Sequence, residues 1–213
     1  MKNPKPDHRF FEKFLNNNLD SLFSYLVEKQ ADLLSGSIGN IPDNVLSRYT
    51  KENGPSTQLG NYYNIFDFEN IEISELKIAL KNATQEACEY YGIDFDKSDY
   101  HIHGWFNLDF KSSENREDGV SPLKDDQNYH DHMNGEGAPV FHGYYCVNAE
   151  PSTTFYKINN GDFVFHNVNK NNRAILSETG HPHGRDDWYE EKPRITIAYD
   201  IAPGRPLPTW IKL

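Results

Sequence analysis

The sequence predicts a mainly β chain with supporting α-helices, arranged as a jelly roll. Three observations lead there. Apolar residues at helical spacing are confined to the stretch before Gly92. After it come short runs rich in aromatic and β-branched residues, with no helical segment between them. Gly, Asn, Pro and Asp punctuate those runs, which argues for packed antiparallel sheets rather than βαβ units.

From Asp20 to Gly36, Leu22, Leu26 and Leu33 recur near helical spacing, backed by Phe23, Val27 and Leu34, and Gly36 suits the residue after a helix end. The stretch Ser35 to Tyr63 mixes Gly, Pro, Asn and Ser and reads as a long irregular connection. Ser74 opens a second helix in which Leu76, Leu80, Ala83, Ala87 and Tyr91 share a face and Gly92 supplies the stop. Extended runs follow at His101 to Phe110, Val140 to Val147, Thr153 to Ile158, Asp162 to Val168, Ala174 to Leu176 and Arg194 to Ile201. Between the first two lies a strongly polar segment, Lys111 to Asn128, expected to be a mobile loop.

With 213 residues the chain suits a single domain, 1–213, in which 1–92 give helical support and an irregular connection and 93–213 the sheet core. A chain of this size buries roughly 70% of its unfolded surface and needs no covalent staples. Its two cysteines, Cys88 and Cys146, have no CxxC spacing, so neither a disulfide framework nor a structural zinc site is indicated. The start, MKNPKPDHRF, lacks the apolar core of a signal peptide, and no apolar stretch has the length of a membrane span; a cytoplasmic setting is expected. A formal charge of −11 disfavours nucleic acid and anionic membrane as partners.

The chemistry concentrates in three short motifs. In His130-Asp131-His132 the residues at i and i+2 share one strand face, so His130 and His132 can converge on one ion while Asp131 faces away. A distant third imidazole, from His181-Pro182-His183-Gly184, completes three ligands on one side of a metal and leaves the opposite positions open. Arg194 and Thr196 repeat the i, i+2 spacing and present a guanidinium fork and a hydroxyl on one face, a pair suited to a carboxylate. An HxH pair in a strand is more often a satisfied polar face than a metal site, and His101-x-His103 is read that way. His8, His142 and His166 are left as structural or substrate-facing.

The order of these residues resembles the 2-oxoglutarate and Fe(II)-dependent oxygenases, in particular the small prolyl-hydroxylase-like members with a double-stranded β-helix. Trp105-Phe106-Asn107 is similar to their W-x-N strand, His130-x-His132 stands in the place of their H-x-D/E pair, and His142-Gly143-Tyr144-Tyr145 resembles their Gly-x-Tyr-Tyr strand. Pro182-His183-Gly184 resembles the distal histidine and Arg194-x-Thr196 the R-x-S/T motif; the likeness spans roughly residues 70 to 201. It implies Fe(II) on His130, His132 and His183, and 2-oxoglutarate held by Tyr145, Arg194 and Thr196, with Tyr144 pointing outward. The implied reaction hydroxylates a C–H bond of an amino acid, peptide or small metabolite with dioxygen, releasing succinate and carbon dioxide. Trp105, Asn107 and Trp188 are assigned to the substrate walls and Arg185 to an anionic anchor, with the Lys111 to Asn128 and Ser35 to Tyr63 segments as lids.

One departure keeps alternatives open. The family places Asp or Glu where this chain has His132, which leaves an Fe(II) site one negative charge short. The third ligand is therefore His132 itself, or Asp131 or Glu136 after a kink at Met133 to Gly137, or the site is inactive or holds another metal. His181 competes with His183 as the distal ligand, and His183 is preferred for its flanking Pro182 and Gly184. The rival functions are a three-histidine, cupin-type metal enzyme that does not use 2-oxoglutarate, and a non-catalytic jelly-roll binding module.

Overall fold

The structure, a computed structural model, describes residues 8–49, 59–96, 99–111, 130, 132, 139–158, 163–204 and 207–213. A short strand β1 (Phe11–Phe14) precedes helix α1 (Leu19–Leu34). Helix α2 (Asp43–Tyr49) and two 3-10 turns, Leu59–Tyr62 and Ile65–Asp67, lead to α3 (Ile71–Tyr91). The remaining strands are β2 (Tyr100–Asp109), β3 (Phe141–Asn148), β4 (Thr153–Ile158), β5 (Phe163–Val168), β6 (Arg173–Glu178), β7 (His183–Arg185), β8 (Arg194–Pro203) and β9 (Ile211–Lys212). The expected mainly β architecture with supporting helices is what these elements form. Among the described residues no helix is long and apolar enough to cross a membrane.

Both long helices are bounded by side-chain caps. The Asn18 side chain accepts from the Ser21 amide (3.2 Å) at the start of α1, and Asn70 accepts from the Ile73 amide (3.0 Å) at the start of α3. Asn70 moves the start of α3 ahead of the expected Ser74, whose hydroxyl instead bonds back to the Asn70 carbonyl (3.0 Å). Gly92 closes α3 in the left-handed region at φ 70, where a residue with a Cβ is strained.

The strands form a six-stranded sheet in the order β1-β6-β3-β8-β2-β9 and a three-stranded sheet in the order β5-β4-β7, with all pairs antiparallel. After β3 the chain makes the β4–β5 hairpin in the small sheet, returns as β6, crosses again as β7 and returns as β8. One face of the large sheet, carrying Phe106, Phe141, Tyr145, Ile195, Ile197, Tyr199 and Ile201, packs with Leu22, Leu26, Leu76 and Leu80 of the helices. The other face offers Tyr144, Cys146 and Ile175 to Tyr156 of the small sheet. The helices thus buttress the large sheet from behind and leave its front for the site.

The first 92 residues are not helical support alone, because β1 pairs with β6 and extends the large sheet. Strands β1, β7 and β9, each of four residues or fewer, had no legible alternation of their own. Within the expected irregular connection Ser35 to Tyr63 lies α2, and the interior of the Lys111 to Asn128 loop falls outside the described residues, as do Asp131 and Glu136.

Gly143 allows the closest approach in the sheet. The Tyr199 side chain crosses it to donate its hydroxyl to the Ile175 carbonyl (2.8 Å), and a Cβ at Gly143 would stand 1.8 Å from that oxygen. Gly143→Ala is expected to lower stability by more than about 4 kcal/mol in urea unfolding, or to prevent soluble expression. Gly92→Ala, which meets no atom within 4 Å, is expected to lose only its backbone term, about 1–2 kcal/mol.

Candidate metal centre

Strand alternation sets the floor of the site. On β8, Arg194, Thr196, Ala198 and Asp200 face away from the helices, and their registered neighbours complete the surface. His103 and His142 flank Asp200, Trp105 and Tyr144 flank Ala198, Asn107 and Cys146 flank Thr196, and Asp109 stands opposite Arg194.

At one end the structure brings His130, His132 and His183 together. His130 and His183 exchange backbone hydrogen bonds of 3.1 and 2.9 Å, an antiparallel bridge that sets their side chains side by side. Their ring centroids are 4.4 Å apart, and the His132 ring is 5.4 Å from His130 and 5.2 Å from His183. One ligand atom from each of the three lies within 4.8 Å of the others, a grouping that can hold a metal ion.

Two of these rings have their orientation fixed. His132 Nδ1 lies 2.7 Å from Asp200 Oδ1; the carboxylate can only accept, so the proton sits on Nδ1 and Nε2 is directed elsewhere. The Trp105 indole stacks on the same ring at 5.9 Å and 16°. His183 Nδ1 is 3.3 Å from the His181 carbonyl, which fixes its tautomer in the same sense. Burial first, and then neighbouring His130 and His132, hold His183 well below the ordinary imidazole value. A neutral imidazole binds a cation without first losing a proton.

A fourth imidazole joins them. His142 is 3% exposed, its ring 4.8 Å from His183 and 5.1 Å from His132. Its Nε2 is buried with no hydrogen-bond partner among the described residues. Sequence reasoning left His142 unassigned and missed Asp200, although parity from His142 to Tyr144, and from Arg194 to Asp200, points to both.

At the other end of the floor lies a cluster of charged groups. Arg194, 4% exposed, donates from Nε to Ser152 Oγ (3.1 Å) and from Nη1 to Asp109 Oδ2 (3.2 Å). Arg185 on β7 donates from Nη2 to the other oxygen of Asp109 (2.7 Å), so one carboxylate bridges two guanidinium groups. Thr196 and Asn107 lie on the same face, one register step from Arg194 towards the histidines. Trp105 Nε1 is buried with no partner among the described residues.

Three expectations change, for Tyr145, Tyr144 and Trp188. Tyr145 does not face this site: it lies on the helix side of β3 and donates its hydroxyl to Asn172 Oδ1 (2.5 Å). Alternation puts Tyr144 on the site face instead, where its hydroxyl donates to Asn169 Oδ1 (2.8 Å) and accepts from Asn167 Nδ2 (3.0 Å). Burial raises the Tyr144 phenol, which therefore stays protonated as a donor. Trp188, expected as a wall, is 2% exposed and gives its indole N–H to the Lys192 carbonyl (2.7 Å), which ties down its own turn. Of the other histidines, His103 Nε2 is engaged by the Tyr63 carbonyl (3.0 Å) and His101 Nδ1 by that of Asp99 (3.0 Å).

No family model matches the sequence, and neither does any curated protein. Among solved structures, the chain is similar to a prolyl-4-hydroxylase of Pseudomonas putida, with a TM-score of 0.53 over 93% of this chain and 94% of that one. Sequence identity is 9%, so the likeness is one of fold.

The buried His142 makes stability depend on pH. Burial first, then His183 and His132, push it well below 6.5, so below that pH the unfolded chain takes up a proton that the fold refuses. This residue is expected to remove up to roughly 1.4 kcal/mol of stability per pH unit as pH falls below its unfolded value. Urea unfolding of the metal-free protein at a series of pH values measures the slope, and His142→Gln is expected to make it shallower.

Proposed function

We propose that this chain is a non-heme Fe(II) and 2-oxoglutarate-dependent oxygenase built on a double-stranded β-helix, which hydroxylates a C–H bond of an amino acid, peptide or small metabolite. The observation that carries the reading is a group of three imidazoles at the Asp200 end of the polar face of β8, with a buried guanidinium, Arg194, at the other end. The fold likeness to a prolyl-4-hydroxylase supports it. The donor set fits a divalent iron: three imidazoles on one side, two of them fixed in orientation, and a buried His142 Nε2 beside them.

Bound iron and keto acid supply the oxidative decarboxylation, to succinate and carbon dioxide, that delivers one oxygen atom of dioxygen to the substrate. The chain's part is to hold, orient and exclude water. His130, His132 and His183 hold the ion. Asp200, by accepting from His132, returns negative charge to a triad that lacks a carboxylate and increases the donor strength of that ring. Arg194 and Thr196 receive the distal carboxylate of 2-oxoglutarate, and Tyr144 replaces Tyr145 as the nearby phenol. For this Asp109 must yield Arg194 while keeping Arg185. Trp105 and Asn107 line the floor between the two ends.

The Asp109–Arg194 pair also favours a second reading, a three-histidine metal enzyme that does not use 2-oxoglutarate. Anaerobic titration with Fe(II) and then 2-oxoglutarate separates the two. A visible metal-to-ligand charge-transfer band is expected in the wild type and is expected to be lost in Arg194→Ala, with succinate formed on admitting air. Iron binding without the band or succinate supports the second reading, and no iron binding sinks both. Asp109→Asn is expected to lower the KM for 2-oxoglutarate, because the competing carboxylate is gone. Asp200→Asn is expected to weaken Fe(II) binding by about 10- to 100-fold.

A further inference from the structure

A second group of potential ligands lies outside the site just described. His8, Glu178 and His181 each offer a ligand atom, and these atoms lie within 4.8 Å of one another. They come from three places: the segment before β1, the last residue of β6, and the turn from β6 to β7. His181 meets the first histidine cluster through its carbonyl, 3.3 Å from His183 Nδ1, whereas its ring packs on that of His8 with centroids 4.1 Å apart.

The independent observation is the state of His8. Both of its ring nitrogens are buried, and neither has a hydrogen-bond partner among the described residues. Burial of these nitrogens without a partner among the described residues leaves a donor and an acceptor without their hydrogen bonds to water. The ring is nonetheless held by packing. The ring stands edge-on to Phe10 at 4.7 Å, and Phe10 stacks on Phe165 (5.0 Å) and meets Tyr156 (4.9 Å) between the sheets. A cation with ligands on His8, His181 and Glu178 gives one of the two His8 nitrogens a partner.

We infer that His8, Glu178 and His181 form a second divalent-cation site, of the kind that binds zinc, which clamps the N-terminal segment to the β6–β7 turn. Two imidazoles and one carboxylate form a donor set that zinc accepts, with a fourth position for water. The clamp joins the strand at one edge of the large sheet to the turn that leads directly into His183. It is independent of the oxygenase reading, because none of its three ligands belongs to the first cluster.

The test uses the full chain carrying His130→Ala and His183→Ala, which disables the first cluster, and Zn(II) as the probe. Equilibrium dialysis with metal analysis is expected to find one equivalent of zinc retained, and to find it lost when either His8→Gln or Glu178→Gln is added. Zinc is also expected to slow trypsin cleavage after the exposed Arg9 in the doubly substituted protein, an effect reversed by chelator and absent with His8→Gln. Absence of zinc from the doubly substituted protein, or zinc that survives both added substitutions, overturns the proposal. Zinc or iron bound by the wild type beyond this equivalent reports the first cluster separately, so the two readings can fail independently.

Discussion

Alternation along the central strand β8 is the constraint on which the rest of the structure depends. Ile195, Ile197, Tyr199 and Ile201 are fully buried towards the helices, while Arg194, Thr196 and Asp200 are buried on the opposite face. A one-residue slip would send the guanidinium and the carboxylate into the apolar core and expose the isoleucines, so the apolar face fixes the register of the polar one. β8 lies between β2 and β3. The site-facing residues of β8 are therefore positioned by the burial of neighbours facing away from it.

The unusual feature of the site is where its negative charge sits. In the oxygenases that the motifs resemble, a carboxylate stands two residues after the first histidine; here His132 stands there, and a carboxylate approaches it from behind, from Asp200 on β8. An anion accepting from the far nitrogen of a ligating ring strengthens that ring as a donor without occupying a coordination position. The other carboxylate of the floor, Asp109, bridges Arg185 and Arg194. Each of these two carboxylates thus has a hydrogen-bonded partner, as buried ions require.

Much of this was legible in the sequence. The two long helices announced themselves by apolar spacing and a terminal glycine, and Thr153–Ile158 was read with the observed bounds. Spacing and order singled out His130, His132, His183 and Arg194, and the structure draws the three histidines together. Tyr145 was preferred to Tyr144 on the resemblance alone; nearly every residue of β3 is buried, so the strand has no alternation of hydrophobicity to reveal which tyrosine faces the helices. Asp200 and Asp109 were missed for a different reason. Their partners, His132 and the two arginines, are remote in the chain and meet them only across sheet register. Strand β1 lies far from β6 in sequence and has a single buried residue, Phe11, too little pattern to predict its place.

The central claim is that His132, supported by Asp200, replaces the carboxylate ligand. A crystal structure of the Fe(II) complex grown without oxygen, with an anomalous difference map at the iron edge, tests it most directly. The account requires Nε2 of His130, His132 and His183 on the iron, with Asp200 still bonded to His132 Nδ1. Iron ligated by the carboxylate of Asp131 or Glu136 in place of the His132 ring would contradict it.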